Sequence, residues 1–188
     1  MTRAFIAIRP PESVLDAIAA RIAAVAMPNA RPTPREHWHL TLQFLGDDAD
    51  VSDVEAALAH DPLDVAPGAG RIRLGGPETL GNPRRARVLA LGLHEGAHWT
   101  AELAALVERR LAPLGYARED RERAFIAHLT LARFRAPTDL RTLRTAIGDE
   151  PVGPAWTVDE ILLFESRLRR QGAEHVARAR IPTGRVSR

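Results

Sequence analysis

The 188-residue chain reads as a two-lobed protein of the α/β or α+β class. Strands and helices are interspersed along its whole length, an order that both classes share. That order runs twice, with matching elements offset by roughly 85–89 residues. Each half is too short to bury a good core by itself. The expectation is therefore one bilobal domain over residues 1–188, its lobes related by a pseudo-twofold axis and sharing a cleft.

The elements follow in order. Ala4 to Ile8 is a short apolar strand, and Pro10-Pro11 ends it. Glu12 to Ala26 has helical apolar spacing and an acidic first turn. The stretch MPNARPTP is a Pro-rich loop, and Trp38 to Leu45 alternates as a strand. Gly46 and three aspartates precede a helix from about Val51 to His60, and a strand near Arg71 to Leu74 closes the first set, roughly 3–75. The second set, roughly 87–165, has strands at Arg87–Leu93, Phe125–Phe134 and Thr157–Phe164, with helices at Trp99–Leu111 and Leu140–Ile147. A final strand, about 175–181, has no counterpart in the first set.

Composition removes several function classes. With no cysteine there is no disulfide, thiolate metal site or cysteine nucleophile. No apolar run reaches the roughly 18 residues of a membrane span, and the N-terminus lacks a signal-peptide pattern, so a cytoplasmic protein is expected. All 26 basic residues are arginine, against 24 acids, and the pI of about 10.2 reflects how little titrates between pH 8 and 10. Residues 109–144 hold 9 Arg against 4 acids, and residues 167–188 hold 7 against 1. Such local basic surface can attract phosphates, although a solvated Arg-rich face would read the same way.

The sharpest feature is His39-Leu40-Thr41-Leu42, repeated 89 residues later as His128-Leu129-Thr130-Leu131. Composition alone predicts such a string about 0.006 times per chain. On a strand, residues i and i+2 share a face. Trp38, Leu40, Leu42 and Phe44 would then suit a core, leaving His37, His39, Thr41 and Gln43 opposite. In the second copy Leu129 and Leu131 face the core, with His128 and Thr130 opposite. Each lobe offers an imidazole beside a hydroxyl. Two imidazoles across one cleft suit displacement at phosphorus: one takes a proton from water, the other gives one to the departing oxygen. The threonines can donate to non-bridging oxygens, and no metal or other cofactor is needed.

The duplicated strings resemble the two signature motifs of the 2H phosphoesterase superfamily. Within it the chain is similar to the RNA 2′,3′-cyclic phosphodiesterases, also called 2′-5′ RNA ligase-like proteins. The similarity covers nearly the whole chain, including AFIAIRPPE, HWHLTLQFLG, FIAHLTLARF and ILLFESRL. It implies an α+β bilobal fold, two lobes each with a mainly antiparallel sheet and flanking helices around a cleft. It implies His39 as proton donor, His128 as acceptor, and Thr41 and Thr130 on the phosphate. The substrate would be an RNA 3′ end or a small cyclic nucleotide, opened to a 2′-phosphate, with 2′-5′ ligation as the reverse reaction, and a monomer is expected. Arg133 matches a family arginine that supports phosphate binding. Strict alternation puts it opposite His128, so it reaches the cleft only if the strand ends, twists or bulges. Ala127 stands where the family usually has Pro, and His175 where Tyr is common; neither is assigned a role.

Two other readings compete. His94-Glu95-Gly96-Ala97-His98 fits the H-E-x-x-H zinc-hydrolase pattern, but His94 follows a strand and Gly96 sits where a helix should be regular. His37 and His39 could likewise hold a metal on one strand face. A non-catalytic RNA-end-binding module would use Trp38, Trp99 and Trp156 for stacking and arginines for phosphates.

Overall fold

The computed structural model describes residues 3–65, 70–117, 124–169 and 172–184, so parts of both arginine-rich stretches lie outside the described residues. The first strand, β1 (Arg3–Ile8), is buried on both faces. Ala4, Ile6 and Ile8 enter the main core, while Phe5 and Ala7 join a smaller cluster with Leu162 and Phe164. A continuous apolar run suits a strand covered on both sides. The helix α1 (Glu12–Ile22) follows and buries Val14, Leu15 and Ile18. It stops four residues short of the expected Ala26.

The Pro-rich loop contains a strand that composition hides, β2 (Ala30–Pro32). A single turn at Arg35–His37 leads into β3 (Leu40–Asp47), which begins one residue after His39. The helix α2 (Val51–Ala59) is capped by Asp50, whose carboxylate accepts from the Ser52 and Asp53 N–H groups. Then come β4 (Arg71–Thr79), β5 (Ala86–Glu95) and α3 (Ala97–Leu111). The strand β6 (Leu129–Thr138) begins one residue after His128, so Phe125 to Ala127 precede it and are not part of it. The chain finishes with α4 (Arg141–Ile147), β7 (Val152–Thr157), β8 (Glu160–Arg169) and β9 (Gly172–Pro182). β7 was hidden by Gly153 and Pro154, and it forms an edge of the sheet, where proline is tolerated.

The class is α+β. One sheet runs β7-β4-β5-β6-β3-β1-β8-β9, with β2 beside β6, and every ladder between these strands is antiparallel. Its two halves, β3-β1-β8-β9 and β6-β5-β4-β7, meet at one residue pair, Leu40 with Leu129. Each half-sheet mixes strands from both sequence repeats. β4, from the first repeat, pairs with β5 of the second; β8, from the second, pairs with β1 of the first. The helices exchange too. α1 packs on β7, and α3 packs on β3 and α2.

Matching arginines pin these exchanged helices. The Arg21 guanidinium donates to the carbonyls of Ile147, Glu150 and Pro151, each at 3.2 Å. The Arg110 guanidinium donates to those of Leu58, Asp61 and Pro62. All four positions recur at the same 89-residue offset as the two histidines. Carbonyls at a helix end lack intrahelical partners, and a charged donor there satisfies them and suits the helix dipole. Among the described residues no helix is long and apolar enough to cross a membrane.

Candidate active site

The Leu40–Leu129 pair brings the two repeated strings together. Continued by one residue, the same antiparallel register sets His39 opposite Thr130 and Thr41 opposite His128. Both leucines are fully buried, while the two histidines and two threonines are half-buried on the other side. Packed leucines thus anchor four polar side chains in a small area.

Both strands bulge at the same place. In β3 the pairing with β1 steps from Thr41 to Gln43 and skips Leu42. In β6 the pairing with β5 steps from Thr130 to Ala132 and skips Leu131. An extra residue leaves two successive side chains on one side and resets the alternation. The burial sequences of the first eight residues of β3 and β6 are accordingly identical. Leu129, Leu131, Ala132 and Phe134 all enter the core, which turns Arg133 to the face of Thr130. Strict alternation had placed Arg133 on the opposite face, and the bulge at Leu131 corrects this. The same device overturns the assignment of two first-strand residues. Phe44, expected in the core, is 67% exposed, and Gln43, expected beside His39, is buried with its Nε2 donating to the Tyr116 carbonyl at 2.8 Å. Trp38 is buried, as expected.

Each imidazole is oriented by the backbone two residues before it. His128 Nδ1–H donates to the Ile126 carbonyl at 2.8 Å, which leaves Nε2 as the free nitrogen. His39 has the equivalent backbone hydrogen bond to His37. Their surroundings differ. The His39 ring stacks on Phe5 at 4.8 Å, and Phe5 stacks on Phe164 at 5.2 Å. His175, from β9, lies edge-on to His39 at 5.5 Å and stacks on His37 at 4.2 Å. Burial, reinforced by repulsion from His175, pushes His39 down to about 4, and the His37 backbone hydrogen bond opposes this only in part. Burial and repulsion from His37 likewise push His175 down to about 4. Sequence reasoning gave His175 no role; it lies 136 residues from His39, and no local spacing signals their contact.

The H-E-x-x-H pattern does not form the geometry its chemistry requires. His94 and Glu95 end β5, His98 lies in the first turn of α3, and Gly96 makes the turn between them at φ +82°. A Cβ at Gly96 would meet the Arg71 carbonyl at 2.5 Å, so only glycine fits there. The two histidines therefore do not share a helix face. His37 is stacked face to face on His175 and belongs to the turn at Arg35–His37, and His39 lies just before β3, so the two do not share a strand face. Among the described residues no three His, Asp or Glu side chains are grouped to hold a metal. Trp38 lies in the core, and Trp99 and Trp156 pack against it, so the tryptophans do not form a free stacking surface.

Comparisons with known proteins agree with this architecture. The 2′-5′ RNA ligase superfamily model matches residues 6–170. A protein of Aeropyrum pernix named RNA 2′,3′-cyclic phosphodiesterase is 35% identical over 73% of this chain and 77% of its own length. A protein of the same name from Methanocaldococcus jannaschii is 27% identical over 77% of this chain and 79% of its own. Among solved structures, TT0787 of Thermus thermophilus superposes with a TM-score of 0.74 at 25% identity, covering 96% of this chain and 97% of that one. Apo E. coli LigT gives a TM-score of 0.74 at 21% identity, covering 98% of each, and shares the fold. With its paired strings meeting at the centre of the sheet, and a family match spanning most of its length, this chain belongs to the 2′-5′ RNA ligase superfamily.

Proposed function

We propose that the chain opens terminal 2′,3′-cyclic phosphates of RNA, or small 2′,3′-cyclic nucleotides, to 2′-phosphomonoesters. The observation that carries this reading is the pairing of two backbone-oriented imidazoles, each beside a threonine, across the Leu40–Leu129 contact. The names of the relatives from Aeropyrum pernix and Methanocaldococcus jannaschii supply the substrate class.

In this scheme a water attacks phosphorus and His128 Nε2 takes its proton. The bond from phosphorus to the 3′ oxygen breaks in line, and His39 gives that oxygen a proton. The Thr41 and Thr130 hydroxyls donate to the non-bridging oxygens, where negative charge grows in the transition state. Arg133 adds a cation on the same face. His39 is neutral in the free protein at pH 7, because burial and His175 disfavour its charged form. The phosphodiester anion supplies the opposite charge that favours imidazolium at the moment it is needed. With an RNA 5′-hydroxyl in place of water, the same proton transfers form a bond from phosphorus to the 5′ oxygen as the bond to the 3′ oxygen breaks, which is 2′-5′ ligation.

The test is hydrolysis of an oligoribonucleotide ending in a 2′,3′-cyclic phosphate, with a chelator present. Wild-type turnover is expected to give a 2′-phosphate. His39→Ala and His128→Ala are each expected to lower kcat by about 10²–10⁴. Undiminished turnover in both variants would overturn the scheme.

A further inference from the structure

The strand β2 lays Arg31 directly across from Arg133. Cross-strand partners point to the same side of a sheet, and like charges directly opposite destabilise it. Both side chains are exposed, and neither has an acidic partner among the described residues. Several arginines elsewhere do have acidic partners: Arg3 has Asp47, Arg35 has Glu12 and Asp16, Arg71 has Glu95, Arg141 has Asp139, and Arg167 and Arg178 share Glu165. What sets Arg31 and Arg133 apart is that they face each other across one ladder, on the face of Thr130, because the bulge at Leu131 turns Arg133 there. The loop after β2 supports that bulge, as the Thr33 N–H donates to the Leu131 carbonyl at 2.8 Å.

The position identifies the anion. Arg133 is three residues beyond Thr130, about 10 Å along the strand, so the pair extends the phosphate-binding face beyond the site between the histidines. Two facing guanidiniums offer the planar donor forks that match phosphate oxygens. The matching position in the other half, 89 residues earlier, is the neutral Phe44. The Arg133 cation therefore has no counterpart at the matching position of the other half.

We propose that Arg31 and Arg133 grip a backbone phosphate of the RNA chain upstream of the reacting cyclic phosphate, making the protein selective for oligonucleotide ends over mononucleotides. This rests on the phosphodiesterase reading above. Arg31 is the new specificity residue; it takes no part in the proton transfers.

The test compares kcat/KM for a trinucleotide ending in 2′,3′-cyclic phosphate with that for a 2′,3′-cyclic mononucleotide. Arg31→Ala is expected to lower the trinucleotide-to-mononucleotide ratio about tenfold, as loss of one charged hydrogen-bonding partner implies. Arg31→Lys, which keeps the charge, is expected to recover part of it. The salt dependence of trinucleotide KM should become shallower in Arg31→Ala. An unchanged ratio would overturn the proposal, as would equal losses on both substrates. A binding measurement separates this failure from failure of the catalytic reading. A fluorescent trinucleotide with a 2′-phosphate end is titrated into wild type and Arg31→Ala, against a nucleoside 2′-monophosphate competitor. Weaker trinucleotide binding in the variant alone supports the phosphate grip whether or not turnover is seen, and equal binding overturns it.

Discussion

The strands β3 and β6 share one backbone plan and stand in different company. Each begins directly after a histidine, bulges at its second leucine, and buries its residues in the same order. The ring contacts among the described residues all gather on the His39 side, where Phe5, Phe164, His37 and His175 crowd the imidazole. On the side of the second string the exposed, cross-strand pair Arg133 and Arg31 stands on the face of Thr130. Position 44 is phenylalanine where position 133 is arginine. The comparison teaches that duplicated backbone can supply a matched pair of groups, while unmatched neighbours give each its own surroundings: aromatic rings crowd His39 and press its pKa down.

The largest expected effect tests the shared half of the plan. Thr41→Ala and Thr130→Ala should each lower kcat by about 10²–10³, as loss of a transition-state donor does. A loss confined to one of them in steady-state assays would show that the halves do not hold the phosphoryl group equally. Next come the helix clamps. Arg21→Ala and Arg110→Ala should each cost about 1–3 kcal/mol in urea unfolding, since each removes three charged hydrogen bonds to carbonyls at and just beyond a helix end. Clearly unequal values would break the symmetry of the scaffold.

The unmatched half is sharpened by His175→Ala. Removing a buried, repelling neighbour should raise the His39 pKa from about 4 toward its ordinary 6.5, read directly by NMR titration of the imidazole. With His39 as donor, kcat/KM then rises severalfold at neutral and higher pH. Were His39 the acceptor, the same variant would lose activity at acid pH only, and the assigned roles would be exchanged.

The smallest effect is on stability. His39 and His175 both have folded-state pKa values below their unfolded ones. Their contribution is therefore fully present above pH 6.5 and is lost as pH falls toward 4. Unfolding free energy of wild type should decline through that window, and more shallowly in His175→Ala. Equal slopes would contradict the pressure that burial places on these rings.

Much of this was legible in the residues. The H-L-T-L strings, their 89-residue spacing and the leucine anchors locate the centre of the sheet. Most helices and strands fall within a few residues of their periodicity. Alternation failed where the backbone bulges, because a bulge is a pairing event between strands and leaves no mark in the period of one. Arg133, Phe44 and Gln43 were all misdirected by that one cause. β2 and β7 were masked by their prolines, which an edge strand or a three-residue strand accepts. The clamp was visible but unread: Arg21 with Glu150-Pro151, and Arg110 with Asp61-Pro62, recur at the offset of the histidines. The aromatic crowd around His39 comes from β1, β8 and β9, whose meeting depends on the exchange of strands between repeats.

That exchange limits how the molecule can be divided. Severed between Gly81 and Asn82, the chain would yield two fragments, neither owning a complete half-sheet, since β4 would leave with one and its partner β5 with the other. Each would expose unpaired strand edges until it met its complement, so the two pieces should assemble only by mutual templating. A single repeat, standing alone, would face the same problem and solve it by pairing with a copy of itself. The catalytic centre of such an assembly would be a true dyad, with two identical histidines and no means of telling acid from base.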